Sequence, residues 1–309
     1  MPDENDFPTH LIAGPTAAGK TAAALLLAES LADAQGRAAE IINADAMQVY
    51  RDIPILSAQP SQEEMAQVPH HLFGTVDGKV AYSTGAWASD VKDILNRIGA
   101  RGNAAIIVGG TGLYFRALTE GLSPIPEVPE EIKSAAIARL DEMGVAAFRA
   151  EVIARDPAMA RLEPADTQRH VRAWAVFEAT DTPLSEFQAL PNVPVIERYT
   201  SACVVLPDRE ALYARCDARL HKMIEAGALE EARQLRDRKL AAGLPVMKAL
   251  GVKELIAHLD GEMSLDDAIA LAQLNTRRFA KRQMTWFRNQ TPDWERVESG
   301  AAVVASFVE

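Results

Sequence analysis

The chain of 309 residues has little cysteine and no long apolar run. Its two cysteines, Cys203 and Cys216, are not spaced as metal ligands are, so we expect reduced thiols in a cytoplasmic protein. No apolar run approaches the ~20 residues of a membrane-spanning helix, so we expect no membrane contact. The N-terminal stretch MPDENDFPTH is acidic and poor in apolar residues, which is unlike a signal or transit peptide.

Basic residues are also in deficit. The chain has 32 Lys and Arg against 43 Asp and Glu, a net charge of −11. This balance argues against indiscriminate binding to nucleic acids. The deficit is uneven, however, because residues 209–288 contain 15 Lys and Arg against 11 Asp and Glu, a local balance of +4. We therefore expect a basic surface on this segment of an otherwise acidic protein.

Residues 14–21 match the phosphate-binding loop pattern G-x-x-x-x-G-K-[ST] at every fixed position. A short apolar strand pattern precedes them and an Ala/Leu-rich helix pattern follows, which is the setting that such a loop needs. In this setting Lys20 reaches terminal phosphate oxygens, and the Thr21 hydroxyl is a ligand for Mg²⁺. We predict that a di- or triphosphate binds to Gly14, Pro15, Thr16, Ala17, Ala18, Gly19, Lys20 and Thr21.

The rest of the pattern predicts an α/β protein with a parallel sheet flanked by helices, as in phosphate-loop NTPases. Strand patterns at 39–45, 104–108 and 201–206 alternate with helical patterns. A helical pattern without strands lies between two proline-rich stretches, and we interpret it as an inserted domain. We therefore divide the chain into a core (1–123), an all-helical insertion (124–198) and a second core part (199–309).

Polar residues follow two of the predicted strands. Asp45 ends the strand pattern at 39–45, and Thr111 lies in the glycine-rich turn after 104–108. Parallel α/β sheets place their sites at the carboxyl ends of strands, so both residues are candidates for a site beside the phosphate loop. Two alternatives stay open, an Asp that merely caps the next turn and a tight turn without a ligand.

Basic residues recur at helical spacing in three places. Arg215 and Arg219 are four apart, and in phosphate-loop enzymes such arginines commonly clamp the transferred or departing phosphates. In the insertion, Arg169 and Arg172 share a helix face, which suits a phosphate or RNA contact or a merely solvated face. In residues 276–288 basic and aromatic residues alternate, as on many nucleic-acid surfaces, although the apolar members also suit a core.

Together these motifs resemble those of the tRNA dimethylallyltransferases, also called tRNA isopentenyltransferases. The resemblance is carried, in the family's order, by GPTAAGKT at 14–21, INADAMQVY at 42–50, VGGTGLYFRAL at 108–118, DTQRHVRA at 166–173, ALGVKE at 249–254 and AKRQMTWFRNQ at 280–290. The phosphate loop alone would fit many nucleotide-binding families. The whole set, which spans about nine-tenths of the chain, is specific to this one.

The resemblance implies transfer of a dimethylallyl group from dimethylallyl diphosphate to the exocyclic amine of the adenosine beside the tRNA anticodon. It implies that Lys20, Arg215 and Arg219 stabilise the departing diphosphate, with Mg²⁺ at Thr21. Asp45 would accept the proton of the amine and Thr111 would position the base, which must first flip out of the stacked loop.

It further implies contacts with the tRNA anticodon arm, and we expect a cytoplasmic monomer. The implied contact residues are Asp45, Ala46, Met47, Gln48, Thr111, Lys133, Gln168, Arg169, Arg172, Lys248, Gly251, Lys253, Lys281, Arg282 and Arg288.

Four positions depart from the family's pattern. Ala46 replaces a common Ser, Gln59 a Lys, Ala175 a Glu and Val252 a Tyr. These changes leave the phosphate loop, Asp45 and Thr111 intact, so they bear on substrate positioning and not on the class of reaction.

Three other functions fit parts of the sequence. An adenylate isopentenyltransferase would use the same donor on a free nucleotide, but it needs neither the insertion nor the basic C-terminal helix. A phosphate-loop kinase of a small molecule would need a base pocket and a substrate site that no motif indicates. An RNA-binding module with a vestigial phosphate loop would not need Lys20 and Thr21.

Overall fold

The computed structural model describes residues 7–308, and the chain divides into two compact units. The core unit runs to Thr119 and resumes at Val195, and the helical unit spans Glu120–Pro194. The sequence-based division placed these boundaries at 124 and 198. Residues 1–6 lie outside the described residues. They belong to the acidic N-terminal stretch, whose composition is unlike that of a signal or transit peptide.

Residues 7–308 contain six strands and twelve α-helices, with two short 3-10 helices at Pro157–Arg161 and Pro245–Lys248. The strands are β1 (Thr9–Ala13), β2 (Ala39–Asn43), β3 (His70–His71), β4 (Ala104–Gly109), β5 (Ser201–Val205) and β6 (Glu295–Val297). The helices are α1 (Lys20–Gln35), α2 (Gln62–Gln67), α3 (Thr84–Ala100), α4 (Gly112–Thr119), α5 (Glu130–Arg155), α6 (Thr167–Thr180), α7 (Leu184–Ala189), α8 (Arg209–Glu225), α9 (Ala228–Asp237), α10 (Val252–Leu259), α11 (Leu265–Gln290) and α12 (Gly300–Val308).

The strands form one sheet in the order β3-β2-β4-β1-β5-β6, and every pair is parallel. This confirms the predicted α/β fold. Ala13 at the end of β1 lies opposite Gly109 of β4 and Val204 of β5. Three strands therefore end at the same edge, and the turns that follow them lie side by side.

Helices cover both faces of the sheet, which explains why its strands are continuous apolar runs. Leu11 and Ala13 face a cluster with α3 and α4, whereas Ile12 faces α1 and α12. On the first face Trp87 is fully buried, stacks on Tyr114 at 4.3 Å between ring centroids, and donates its indole N–H to the Asn43 carbonyl at 2.7 Å. This contact ties α3 to the end of β2.

The helical unit has an apolar core of its own, which α5 and α6 build. Phe148 and Trp174 are buried there with a ring-centroid separation of 6.3 Å. The Trp174 indole N–H donates to the Glu151 carboxylate at 2.9 Å. Gly144 interrupts the helical backbone of α5 at φ 77°, a conformation that a side chain disfavours. The α-helices of this unit are α5 (Glu130–Arg155), α6 (Thr167–Thr180) and α7 (Leu184–Ala189).

The structure differs from the sequence-based prediction at the end of β2. This strand ends at Asn43, two residues before Asp45. The Asn43 side chain accepts the Asp45 N–H at 2.8 Å and donates to the Asp45 carbonyl at 2.9 Å. These local bonds replace the sheet ladder, which is what Asn commonly does in turns.

Several other elements were mispredicted. The short strands β3 and β6 and the helices α2 and α12 were not predicted. Ser264 caps α11 by accepting the Asp267 N–H at 3.1 Å, but its hydroxyl then donates to the Asp267 carboxylate at 2.6 Å. This cap is one-way, whereas Ser61 and Glu64 form a reciprocal capping box at the start of α2. No helix within residues 7–308 has the length and apolar character to cross a bilayer.

Candidate active site

The phosphate loop has the backbone shape that its glycines predict. Gly14 has φ 154°, and a Cβ there would lie 2.6 Å from the Val205 carbonyl oxygen, so the loop passes directly over the end of β5. Gly19 adopts φ 89° at the N-cap of α1, a left-handed conformation that favours glycine. The N-terminus of α1 therefore opens directly from the loop, where its N–H groups favour an anion.

Lys20 lies inside this loop. Its ammonium donates a hydrogen bond to the Pro15 carbonyl at 2.7 Å. Burial lowers the pKa of Lys20 to about 8, an effect that the negative charge of Asp45 opposes and the positive charge of Arg219 reinforces. A bound polyphosphate would place negative charge beside the buried ammonium, and so would favour its protonated form.

A cavity of about 480 Å³ lies against the loop in the core unit. Four cations line it, namely Lys20, Arg215, Arg219 and Lys222. Two carboxylates line it as well, those of Asp45 and Glu64. The excess of positive charge suits a di- or triphosphate better than a neutral ligand.

Arg219 connects α8 to the phosphate loop. Its guanidinium donates to the Thr16 hydroxyl at 2.5 Å, and burial lowers its pKa, although Cys216 and Asp45 raise it. Arg215, one helical turn earlier, is exposed in the wall of the same cavity. The structure thus brings together the two arginines and the loop that the sequence motif placed far apart in the chain.

The Asp45 carboxylate has two different oxygen environments. Its Oδ1 accepts the Met47 N–H at 2.9 Å, so the turn-capping alternative describes half of this side chain. Within residues 7–308 its Oδ2 accepts no hydrogen bond, and the residue lines the cavity with Lys20 and Arg219. One oxygen fixes the side chain, and the other is open to a ligand's proton.

Thr111 is fixed against the turn that contains Asp45. Its N–H donates to the Ala44 carbonyl at 3.1 Å, and its hydroxyl accepts the Ala46 N–H at 2.9 Å. Thr111 does not line the cavity with Lys20, whose wall reaches only Val108 and Gly109 on this strand. Its hydroxyl proton is left as a donor at the neighbouring side of the turn.

Several residues that the resemblance assigned to tRNA contacts have structural roles in the core unit. The Gln48 amide donates to the Ser57 and Ala58 carbonyls at 3.1 and 2.7 Å, so it holds the cavity wall. Met47 packs against an apolar cluster of α8, α9 and α10. Gly251 is buried at φ 85° where α10 begins, and a Cβ there would come within 3.3 Å of Leu56. Two exposed cations flank it, Lys248 and Lys253.

The positions that depart from the family's pattern lie in three settings. Gln59 lines the cavity and donates to the Tyr50 carbonyl at 2.8 Å. Ala46 packs against the apolar cluster on the α3 face of the sheet. Ala175 and Val252 are buried, the first in the helical unit and the second in the core unit. Only Gln59 thus changes the charge of the cavity wall.

Helix α11 has a basic outer face, which we define by the residues that line a groove of about 550 Å³. These residues are Arg278, Lys281, Arg282, Thr285, Trp286, Asn289 and Gln290. The Arg282 guanidinium lies 5.5 Å from the Phe279 ring centroid, and Arg288 is exposed farther along the helix. Arg277, which the sequence suggested as part of this surface, instead pairs with Asp217 at 2.5 Å.

The predicted contact residues of the helical unit lie near the starts of α5 and α6. Arg169 pairs with Asp166 at 2.7 Å and stays largely exposed, as does Gln168. Arg172 is half-buried, and burial lowers its pKa. On α5, Lys133 pairs with Glu130 at 3.1 Å.

Two residues of the site were missed by sequence analysis. Lys222 extends the cationic row of α8, and its position three residues after Arg219 was a usable signal. Gln283 is buried under the phosphate loop, where its side-chain oxygen accepts the Thr16 N–H at 2.9 Å. It lies within the motif AKRQMTWFRNQ, but a lone Gln gives no sign of its partner.

Family models and relatives agree on what this chain is similar to. Residues 48–290 match the family model described as IPP transferase, and residues 7–75 match the one described as isopentenyl transferase. A tRNA dimethylallyltransferase of Phenylobacterium zucineum is 51% identical over 93% of this chain and 91% of its own. One of Maricaulis maris is 50% identical over 96% of each chain.

The chain belongs to the tRNA dimethylallyltransferase family. Solved structures of the family share its fold. A tRNA isopentenylpyrophosphate transferase from Bacillus halodurans superimposes with a TM-score of 0.67 and 31% identity, covering 97% of this chain and 94% of that one. A eukaryotic dimethylallyltransferase acting on tRNA gives a TM-score of 0.78 at 26% identity, over 95% of this chain and 74% of that one.

Proposed function

We propose that this protein transfers the dimethylallyl group of dimethylallyl diphosphate to the exocyclic amine of the adenosine beside the tRNA anticodon. The observation that carries the proposal is the pairing of a cationic phosphate loop with the Asp45 carboxylate in one cavity. Membership of the tRNA dimethylallyltransferase family supports the same donor and the same acceptor. We place this activity in the cytoplasm and assign it to a monomer.

The phosphate loop holds the diphosphate of the donor. Backbone N–H groups of the loop and the N-terminus of α1 address phosphate oxygens, and Lys20 leaves the Pro15 carbonyl for them. Arg215, Arg219 and Lys222 of α8 line the same cavity. As the allylic carbon–oxygen bond breaks, negative charge accumulates on the departing diphosphate, and these fixed cations stabilise it.

Asp45 acts as the general base. The lone pair of an aromatic amine is delocalised into the adenine ring, so the amine attacks the allylic carbon poorly unless its proton is removed as the new bond forms. The Met47 N–H holds Oδ1, which leaves Oδ2 to accept that proton. Thr111 lies next to Asp45 across the turn. Its hydroxyl donates a hydrogen bond to the adenine and so positions the adenine.

Mg²⁺ fits this site as a partner of the donor. Within residues 7–308 no three His, Cys, Asp or Glu side chains form a group that could hold a metal by themselves. Mg²⁺ often binds one or two protein oxygens together with substrate phosphates and water, and the Thr21 hydroxyl in the cavity wall is such an oxygen. Bound there, the ion would neutralise part of the diphosphate charge.

The tRNA binds through phosphates to the basic face of α11 and, in the helical unit, to Arg169 and Arg172. Such contacts position the anticodon arm without specifying its sequence. The local charges support this role, because Lys281 and Arg282 are exposed and form no ion pair with any described residue.

Mass spectrometry of tRNA nucleosides tests the proposal. The protein is incubated with dimethylallyl diphosphate and Mg²⁺, and either unmodified tRNA or AMP is the acceptor. We expect a dimethylallyl group on the adenosine beside the anticodon and no product from AMP. Product from AMP alone would support an adenylate isopentenyltransferase. Tight binding of ATP without binding of dimethylallyl diphosphate, measured by thermal shift, would support a kinase.

A further inference from the structure

Gln283 is a buried amide in the middle of α11, and both ends of its side chain are bonded to backbone. Its Oε1 accepts the Thr16 N–H at 2.9 Å, and its Nε2 donates to the Gly110 carbonyl at 2.8 Å. Only 6% of the residue is exposed. The amide therefore bridges the phosphate loop after β1 and the glycine-rich turn after β4.

These two turns leave neighbouring strands, and the sheet itself no longer holds them together. The last paired residues are Ala13 and Gly109, so beyond them no ladder bond sets the separation of the turns. Gln283 packs tightly against Gly110, because a Cβ on Gly110 would lie 2.5 Å from the Gln283 Nε2. The same Cβ would lie 3.5 Å from the Asp45 Oδ2. The amide thus contacts the turn at a glycine that also lies close to the candidate base.

We propose that Gln283 is a positioning residue that fixes the distance between the diphosphate leaving group and the base that deprotonates the adenosine. The inference rests on the proposed function, because it presumes that the phosphate loop holds the donor and that Asp45 and Thr111 face the acceptor. An amide is suited to this task, because it presents an acceptor to Thr16 and a donor to Gly110 on one rigid group.

Thr16 is held from a second side as well. The Arg219 guanidinium binds its hydroxyl at 2.5 Å while Gln283 binds its N–H. The charged groups that line the cavity beside this bridge are Lys20 from α1, Asp45 from the turn after β2, Glu64 from α2, and Arg215, Arg219 and Lys222 from α8. Without the amide, Arg219 would still hold the loop, but no other hydrogen bond among residues 7–308 would join the loop to the Gly110–Thr111 turn.

The first test replaces Gln283 by an apolar side chain of similar length, Gln283→Met. We expect the single-turnover rate of dimethylallyl transfer at saturating substrates to fall on the order of a hundredfold, because a small misplacement of reacting groups typically costs that much. The affinity for tRNA should stay close to that of the natural protein, since the basic face of α11 is untouched.

A matched control lies on the same helix. The Gln273 amide does not line the cavity, and it donates to the Asp217 carbonyl at 3.2 Å and contacts the His221 Nε2 at 3.1 Å. Gln273→Met removes the hydrogen bonds of a side-chain amide on α11 but leaves the Gln283 bridge intact. Its transfer rate should therefore match that of the natural protein.

The second test distinguishes positioning from mere stability through a pH profile. In Gln283→Glu the introduced carboxyl group, when protonated, accepts from Thr16 and donates to Gly110 as the amide does. When ionised it has only acceptors and repels the Gly110 carbonyl and Asp45, so this arrangement is lost. The rate of Gln283→Glu divided by that of the natural protein should therefore rise as the pH falls. Taking this ratio removes the pH effects that the two proteins share.

The outcomes separate the inference from the proposed function. Absence of transfer by the natural protein would overturn the proposed function. If the natural protein is active, a Gln283→Met rate within about threefold of it overturns the positioning role. If Gln283→Met does not fold, the pH ratio of Gln283→Glu decides alone, and a ratio that does not change with pH overturns the role.

Discussion

The phosphate loop and the basic face of α11 are both rich in cations, but they are built differently. At the loop Lys20 and Arg219 are half-buried, and each donates a hydrogen bond to the loop, Lys20 to the Pro15 carbonyl and Arg219 to the Thr16 hydroxyl. On α11, Lys281 and Arg282 are exposed and have no ion-pair partner among the described residues. Chemistry at the allylic carbon requires fixed positions, whereas attraction of a polyanion requires only charge.

The largest expected effect is that of Asp45→Asn. This change keeps the shape and one acceptor oxygen but removes the basicity, so the rate of transfer should fall by ~10²–10⁴. Affinity for the donor should change little. The turn-capping alternative predicts a different result, because an amide oxygen can still accept the Met47 N–H. Single-turnover kinetics measure the difference, and a rate within about threefold of the natural protein would leave the general-base role untenable.

Lys20→Ala should come next. Loss of one fixed positive charge at the leaving group typically costs on the order of a hundredfold in rate or more. The fold should persist, since Lys20 contributes one hydrogen bond to its own loop. Steady-state transfer and calorimetric donor binding would measure the effect, with the melting temperature as the control. Near-normal turnover and donor affinity would contradict the phosphate-loop assignment.

Reversal of charge on α11 should have a smaller effect, and only on tRNA. The double variant Lys281→Glu/Arg282→Glu should weaken tRNA binding by roughly tenfold or more, and the slope of log affinity against log salt should fall by about two. Donor binding should be unchanged. The matched control reverses two exposed cations on α3, Lys92→Glu/Arg97→Glu. Equal tRNA affinities of the two double variants would argue against the basic face as the RNA surface.

The smallest expected effect is that of pH on donor binding. Burial lowers the pKa of Lys20 to about 8 in the free protein, and the bound diphosphate favours the protonated form. Donor affinity is therefore full below this pKa and declines by a few-fold as the pH rises through it. Calorimetric titration of dimethylallyl diphosphate over this range would measure the decline. Lys20→Arg stays protonated and should show no such decline, and a steep decline in that variant would point to another group.

The phosphate loop was predictable because its spacing encodes its geometry. Gly14 and Gly19 occupy backbone conformations that few other residues adopt, and Lys20 follows from its place at the start of α1. The parallel sheet followed equally well from buried apolar runs alternating with helical patterns. Arg215 and Arg219 were found because their spacing puts them on one helix face that the structure directs into the cavity.

Other features could not be predicted, because they depend on contacts between segments distant in sequence. Gln283 is separated by 267 positions from Thr16, and no local pattern pairs them. The pairing of Arg277 with Asp217 likewise removes from the basic surface a residue that the sequence placed on it. Asp45 falls between these cases, since its placement followed from the strand pattern but the division of roles between its two oxygens did not.

The cavity is assigned to catalysis and the basic face of α11 to tRNA binding. The most direct test of this division is the single-turnover rate constant at saturating tRNA and donor. We expect Lys281→Glu/Arg282→Glu to regain the rate of the natural protein once tRNA saturates, because its defect lies in binding alone. Asp45→Asn should remain slower by ~10²–10⁴ at any tRNA concentration. A surface variant that stays slow at saturation, or an Asp45→Asn variant that recovers there, would contradict the account.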